Sequence, residues 1–201
     1  MILPIFDYWD GIYPLSQGCK QFFIEKARKS IYDPNGRFIR VNGFCDEFTF
    51  IEEGLVRVYH LREGNEKTVR FVGSNGLCLL YDSFFRKTRS VEGIRTVQSS
   101  TFLSLSRESL EKMYEKFPEF YRITDHYYQH DVIEGYQRLY VCTALNPFER
   151  FRWLHAVRSD LIGSVPDKYL SEYINMTGAH YSRIKHGRVT ERKDKTDNSF
   201  F

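Results

Sequence analysis

Hydrophobic and polar positions change period twice along this chain, and the changes divide it. From Tyr32 to about Ser106 the period is two. Phe48, Phe50, Leu55, Val58 and Leu61 alternate imperfectly with polar neighbours, which marks strands with one buried face. Turn residues punctuate the runs. Asp33-Pro34-Asn35-Gly36 opens the series, Gly54 falls between two strands, Arg62-Glu63-Gly64-Asn65-Glu66 makes a hairpin loop, and Gly73-Ser74-Asn75-Gly76 follows the next strand. LCLLYDSFF (77–85) and IRTVQSSTFLSLS (94–106) are apolar, β-branched and aromatic, and read as further strands. Short strands at roughly ten-residue spacing predict a β-sandwich or barrel.

Helical period flanks this region. Ser16 to Lys29 reads as a helix with Phe22, Phe23, Ala27 and Ile31 as a partial stripe. After the strands, Ser106 is placed to cap a helix carrying Glu108 and Glu111 in its positive first turn. Pro118 ends or re-aims it. Tyr121 to Thr143 then gives about six helical turns, with Ile123, Tyr127, Val132, Ile133, Tyr136, Leu139 and Tyr140 apolar. His126, His130 and Gly135 interrupt that stripe, so it lacks a clean heptad. The i, i+4 histidine pair has no third ligand in reach by sequence and reads as a surface or interface pair, not a metal site. At Leu145 a new unit begins. Asn146 caps, Pro147 takes the first position, Glu149 completes a capping box, and Phe151, Leu154, Val157 and Leu161 form the inner face.

Val165–Arg188 carries the most specific pattern. Tyr169, Leu170, Tyr173 and Ile174 stripe a first helix that Pro166 opens, and Ser171 is small enough to let a second helix cross closely. Asn175 stands where the chain must turn left-handed, and Thr177 caps the second helix. Tyr181 and Ile184 point inward, while His180, Arg183, Lys185, His186 and Arg188 stay polar. That layout is a helix-turn-helix.

The segment KYLSEYINMTGAHYSRIK resembles the recognition segment of the Crp/Fnr family of bacterial transcription regulators, in the short form common among Bacteroidetes-type members. Lys168, Tyr169, Tyr173, Thr177, Ser182, Arg183 and Ile184 match it. Gly178 and Ala179 replace the usual Pro-Glu, so the glutamate that often reads a cytosine is absent, and His180 and Tyr181 replace Thr-Leu. FIEEGLVRVYHLREGNEKTVRFV (50–72) resembles the β-roll of the same family, and NPFERFRWLHAVRSDLIGSVP (146–166) its helix behind the helix-turn-helix. The resemblance implies an α+β chain: a cyclic-nucleotide-binding-like β-roll sensor (1–118), a long dimerisation helix (119–144) and a helix-turn-helix DNA-binding domain with a polar tail (145–201).

It also implies a site. Arg183 is the candidate for direct base reading, with His180, Tyr181 and Ser182 beside it and Thr177 at the helix start. Lys168, Lys185, His186 and Arg188 are candidates for phosphate contacts. In nucleotide-binding members a Gly-Glu pair holds the ribose and an Arg-Ser/Thr pair the phosphate. Here the corresponding sets are Gly73, Ser74 and Asn75, without the glutamate, and Arg89 with Ser90. Cyclic AMP is therefore not the expected effector; an unknown small molecule, or none, is. The implied partners are double-stranded DNA, a second copy of the chain and RNA polymerase.

Composition sharpens this little. With 42% hydrophobic and 27% charged residues the chain is an ordinary globular one. The net charge is only +3, but residues 180–195 carry Arg183, Lys185, Arg188, Arg192, Lys193 and Lys195 against Glu191 and Asp194, the footprint of a nucleic-acid module. Cys19, Cys45, Cys78 and Cys142 are scattered, without metal-binding spacing, which fits a reducing cytoplasm. No apolar run is long enough for a membrane span, and the first residues lack a signal-peptide pattern. No nucleophile elbow, phosphate-binding loop or H-E-x-x-H is present, and only His60 lies in the β region, so no enzyme is expected. The tail VTERKDKTDNSFF is charged and lacks a wing-strand pattern. Together with Gly178-Ala179 it keeps an alternative open: a β-roll ligand-binding or protein-interaction module whose helix-turn-helix is degenerate.

Overall fold

The computed structural model of the chain describes residues 3–188. It divides into two compact units, Met1–Tyr136 and Gln137–Phe201. The first runs α1 (Ile5–Ile12), α2 (Gln17–Lys26), β1 (Arg28–Tyr32), β2 (Arg37–Ile39), β3 (Glu47–Glu53), β4 (Leu55–Arg62), β5 (Asn65–Gly73), β6 (Leu77–Cys78), α3 (Tyr81–Arg86), β7 (Glu92–Thr96), β8 (Ser100–Ser106), α4 (Arg107–Lys116) and most of α5 (Phe120–Ala144). The second holds the end of α5, then α6 (Pro147–Val157), a 3-10 turn (Ser159–Leu161), α7 (Asp167–Tyr173) and α8 (Gly178–Lys185).

Two four-stranded antiparallel sheets make the roll, ordered β1-β8-β3-β6 and β2-β7-β4-β5. Between them Phe38 stacks on Phe102 at 4.3 Å, and Ile51, Val56, Val58 and Ile94 are buried. Alternation sends Phe48 and Phe50 to the other face of β3. There Phe50 meets Trp9 of α1 at 4.8 Å and Phe120 of α5 at 6.4 Å. The β4–β5 hairpin turns on Glu63 and Gly64 alone, both left-handed (φ 52° and 76°), the backbone that matches strand twist in a two-residue turn. At Gly54 (φ 115°) a Cβ would lie 2.6 Å from the Ser100 backbone, so the break between β3 and β4 requires glycine.

Two expectations from the sequence need correction here, and one helix was not expected. The helix read over Ser16–Lys29 ends at Lys26, because Arg28–Tyr32 pairs with β8 and sheet pairing overrides helical period. In LCLLYDSFF only Leu77–Cys78 is strand, and Tyr81–Arg86 is helix α3; an apolar run buried all round carries no period to separate the two. The sequence reading also passed over α1, whose Ile5, Phe6 and Trp9 are buried. Ser106 caps α4, accepting from Ser109 N, as expected.

In the second unit the Asn146–Glu149 capping box is formed and Pro147 opens α6. Leu154 and Leu161 are buried, but Val157 is 48% exposed, since α6 ends there and its last turn faces solvent. Cys19, Cys45 and Cys78 are buried free thiols, pushed by burial up to about 12, 11 and 12. Among the described residues no helix is long and apolar enough to cross a membrane.

Candidate nucleic-acid interface and effector pocket

The second unit builds α7 and α8 on a small core. Leu154, Leu161, Val165, Leu170, Tyr173, Ile174, Tyr181 and Ile184 are buried, and the Phe151 ring meets Tyr181 at 5.2 Å. Arg138 Nε donates to the Tyr173 carbonyl at 2.9 Å and lies over the Tyr173 ring. The corner follows from single residues. Asn175 has φ 53°, Arg150 Nη1 donates to its carbonyl at 3.1 Å, and the Thr177 hydroxyl accepts from His180 N at 3.2 Å. Ser171 is buried, and a Cβ added at Gly178 would sit 3.9 Å from its hydroxyl, an ordinary contact.

What α8 leaves outward is cationic. Arg183 is exposed and makes no side-chain hydrogen bond or ion pair with any described residue. Ser182 and His186 are exposed, their side chains 3.4 Å apart, and His186 Nδ1 lies 2.7 Å from the Ser182 carbonyl. Lys168 and Arg188 are exposed, Thr177 too, and His180 is half-buried. Two members of the expected set sit otherwise. Tyr181 is 1% exposed and packs on Phe151, so it is a core residue and cannot reach a base. Lys185 Nζ pairs with Asp167 at 2.8 and 2.9 Å, joining the last turn of α8 to the first turn of α7. Both partners are about half exposed, and such pairs contribute little. Arg192, Lys193, Lys195 and the rest of the tail lie outside the described residues.

The expected effector residues are held apart by separate loops. Ser74 Oγ accepts from Gly54 N, and the Asn75 carbonyl accepts from Tyr127 Oη at 2.6 Å. Gly73 is followed by a turn so tight that a Cβ at Gly76 would meet Val72 at 2.5 Å. Arg89 instead donates to the Asn42 carbonyl at 2.8 Å and lies over the Phe44 ring, while buried Ser90 exchanges backbone hydrogen bonds with Asn42 and Gly43. No hydrogen bond among the described residues joins the two sets.

A polar centre the sequence reading missed lies in the first unit, among β5, α3 and α5. Arg70 Nη1 meets Asp131 at 2.6 Å, Arg70 Nη2 donates to the Leu79 carbonyl at 2.6 Å, and the Tyr81 hydroxyl donates to the same Asp131 oxygen. Burial, then the Asp131 charge, pushes the Tyr81 hydroxyl up, so it stays protonated as a donor. His130 and Glu134 lie beside Asp131, with one donor atom from each of the three within 4.8 Å. Asp131 is already engaged by Arg70 and Tyr81. No sequence signal joins these residues, since Arg70 and Asp131 are 61 positions apart.

Residues 29–117 match the family model of the cyclic nucleotide-binding domain. Among proteins of curated function none matches the chain by sequence. Among solved structures, FixK2 from Bradyrhizobium japonicum superposes with a TM-score of 0.67 at 14% identity, over 80% of this chain and 83% of that one. The c-di-GMP-responsive global regulator CLP of Xanthomonas campestris gives 0.70 at 13%, over 86% and 91%. A protein of Eubacterium rectale assigned to the Crp/Fnr family gives 0.68 at 13%, over 91% and 86%. The fold is that of the Crp/Fnr regulators. The matched residues 29–117 span β1 to β8 and α4, the part of the chain that forms the two sheets and the helix after them.

Proposed function

We propose that this chain is a DNA-binding transcription regulator of the Crp/Fnr type, which binds near-palindromic operators as a homodimer under control of a small effector. The observation that carries the reading is α8 itself. Its inner residues Tyr181 and Ile184 are buried, Thr177 fixes its start, and Arg183 stands exposed with no partner among the described residues. An Arg in that position can meet a guanine edge with two parallel N–H donors. Lys168, His186 and Arg188 serve as phosphate contacts that set register, and Lys185 joins them once it leaves Asp167.

The dimer reading draws on α5. Val132, Ile133 and Tyr136 in the first unit, and Leu139 and Tyr140 in the second, are all exposed. Spacings of seven relate Val132 to Leu139 and Ile133 to Tyr140, as a self-pairing helix uses. Two recognition helices then enter successive major grooves about 34 Å apart. In this reading residues 1–118 sense, 119–144 pair and 145–201 bind DNA, in the cytoplasm.

The effector is a small molecule other than cyclic AMP. No hydrogen bond among the described residues joins the phosphate and ribose residue sets, and Arg70, which meets α5, is already neutralised by Asp131. An anionic effector acting there must displace Asp131. The test of the whole reading is selection from random duplex pools at two salt concentrations. Retained sequences should show a palindrome with half-sites one turn apart, and binding should weaken steeply with salt. Salt-sensitive binding with no enriched motif would leave a basic surface without readout and sink the reading.

A further inference from the structure

At the edge strands β1 and β2, where one sheet faces the other, the first unit holds a cavity of about 420 Å³, an ordinary volume for a small-molecule site. Its floor is polar: Thr49 on β3 is buried, with its hydroxyl 2.9 Å from that of Ser104. Two walls are aromatic. The rings of Tyr32 and Phe38 meet edge to face, 5.6 Å apart with their planes at 83°, and Phe102 covers one face of Phe38 at 4.3 Å. The loop from β2 to β3 adds a third ring, that of exposed Phe44. Arg89 takes one face of Phe44 at 5.0 Å, so this ring already holds a cation on one side. The charged side chains that line the cavity are Arg28, Asp46 and Glu47. Arg28 Nε donates to one Glu47 oxygen at 3.2 Å and Arg28 Nη2 to the other, so these two charges answer each other. Asp46 is exposed and makes no side-chain hydrogen bond or ion pair with any described residue. Its carboxylate stands among aromatic walls without a counter-charge.

We propose that this cavity binds a small organic cation, an amine or a quaternary ammonium compound with one positive charge, whose charged head lies beside Asp46 and against the aromatic walls. The faces of aromatic rings attract cations through their quadrupole, most strongly where water is excluded. A carboxylate in the same cavity adds a Coulomb attraction that an uncharged ligand lacks. An anion would meet Asp46 unopposed, and Arg28 could serve it only by leaving Glu47. The site shares no residue with the α8 surface, with the Arg70–Asp131 pair or with the sets Gly73–Asn75 and Arg89–Ser90. Its use as an effector site rests on the regulator reading above; the binding itself does not.

Calorimetric titration of the full chain at fixed ionic strength tests it, with choline and ethanolamine as probes and neohexyl alcohol, the uncharged isostere of choline, as control. Saturable binding of at least one cation, and none of the alcohol, is expected. Asp46→Asn should weaken it about tenfold. Phe44→Leu, which keeps the bulk and removes the ring face, should weaken it about threefold. Both residues are exposed, so neither change should move the melting temperature. Arg28→Gln frees the Glu47 carboxylate and should tighten binding, a change of sign that a structural role alone would not give. Glu115→Gln, at an exposed carboxylate of α4 outside the cavity, should leave binding unchanged. Tighter binding of choline identifies a quaternary ammonium ligand, and tighter binding of ethanolamine a primary amine. No saturable binding of either cation, equal binding of the alcohol, or binding unaltered in Asp46→Asn overturns the site. Motif selection on duplex without cation binding overturns the site alone. Cation binding by a chain that selects no motif supports the site and sinks the regulator reading.

Discussion

Asp131 on α5 and Arg70 on β5 close on each other at 2.6 Å, with side chains only 13% and 18% exposed. A buried pair is weak evidence of net stability, but removing one partner leaves the other charge uncompensated. Asp131→Asn should therefore destabilise the first unit by about 3 kcal/mol, read as a shift in denaturant midpoint. It should also free Arg70 for small anions. A loss below about 0.5 kcal/mol would show that the pair is solvated in solution.

The corner of the helix-turn-helix rests on Asn175 and Thr177. At φ 53° an alanine pays the left-handed penalty that glycine escapes. Asn175→Ala should cost about 1 kcal/mol while Asn175→Gly stays near neutral. Thr177→Ala, which removes the acceptor for His180 N, should cost about 1 kcal/mol as well. Thermal melts of the three variants check this, and equal effects of Ala and Gly at 175 would contradict it.

His155 on α6 gives the second unit a pH dependence. Burial, then the positive charge of Lys185, holds its imidazole below the ordinary value of 6.5, while Asp167 works the other way. Its Nε2 is buried without a partner. Because the folded state takes the proton less readily, the contribution of His155 to stability is constant above about pH 6.5. It falls as the pH drops below that, where the unfolded chain protonates first. His155→Gln should flatten the decline between pH 6.5 and 5. Urea melts across that range would show it, and an unchanged slope would assign the decline to other groups.

Self-pairing through α5 predicts a sharp response to charge. Ile133→Glu or Leu139→Glu should convert dimer to monomer in sedimentation at micromolar concentration, since each places a carboxylate on an exposed apolar position. A dimer that survives both would place the two-fold elsewhere.

Legibility in the sequence was uneven, for physical reasons. Local devices were readable: the Asn146–Glu149 capping box, the Thr177 cap and the left-handed Asn175 each depend on a few consecutive residues, while the hairpin loop read over Arg62–Glu66 narrows to Glu63-Gly64 because Arg62 pairs with Asn65 and Leu61 with Glu66. The strands were readable from their period of two, as a β-sandwich or barrel; the roll itself was what the family resemblance implied. What failed was tertiary. Arg28–Tyr32 is a strand only because β8 lies beside it, and Leu77–Arg86 divides into strand and helix because it is buried on every side. At the candidate interface, helical period pointed Tyr181 inward while the family resemblance offered it as a contact; Phe151 settles it as core. The Arg70–Asp131–Tyr81 centre joins residues distant in sequence, and only sheet register and helix packing bring them together.

The most direct measurement compares Arg183→Ala with Lys185→Ala on a selected operator and on random duplex at one salt concentration. If Arg183 reads a base, its loss should cost about 1–3 kcal/mol on the operator, relax one position and leave random duplex nearly unchanged. Lys185→Ala should weaken both alike. Equal losses on operator and random duplex for Arg183→Ala would contradict base reading by α8.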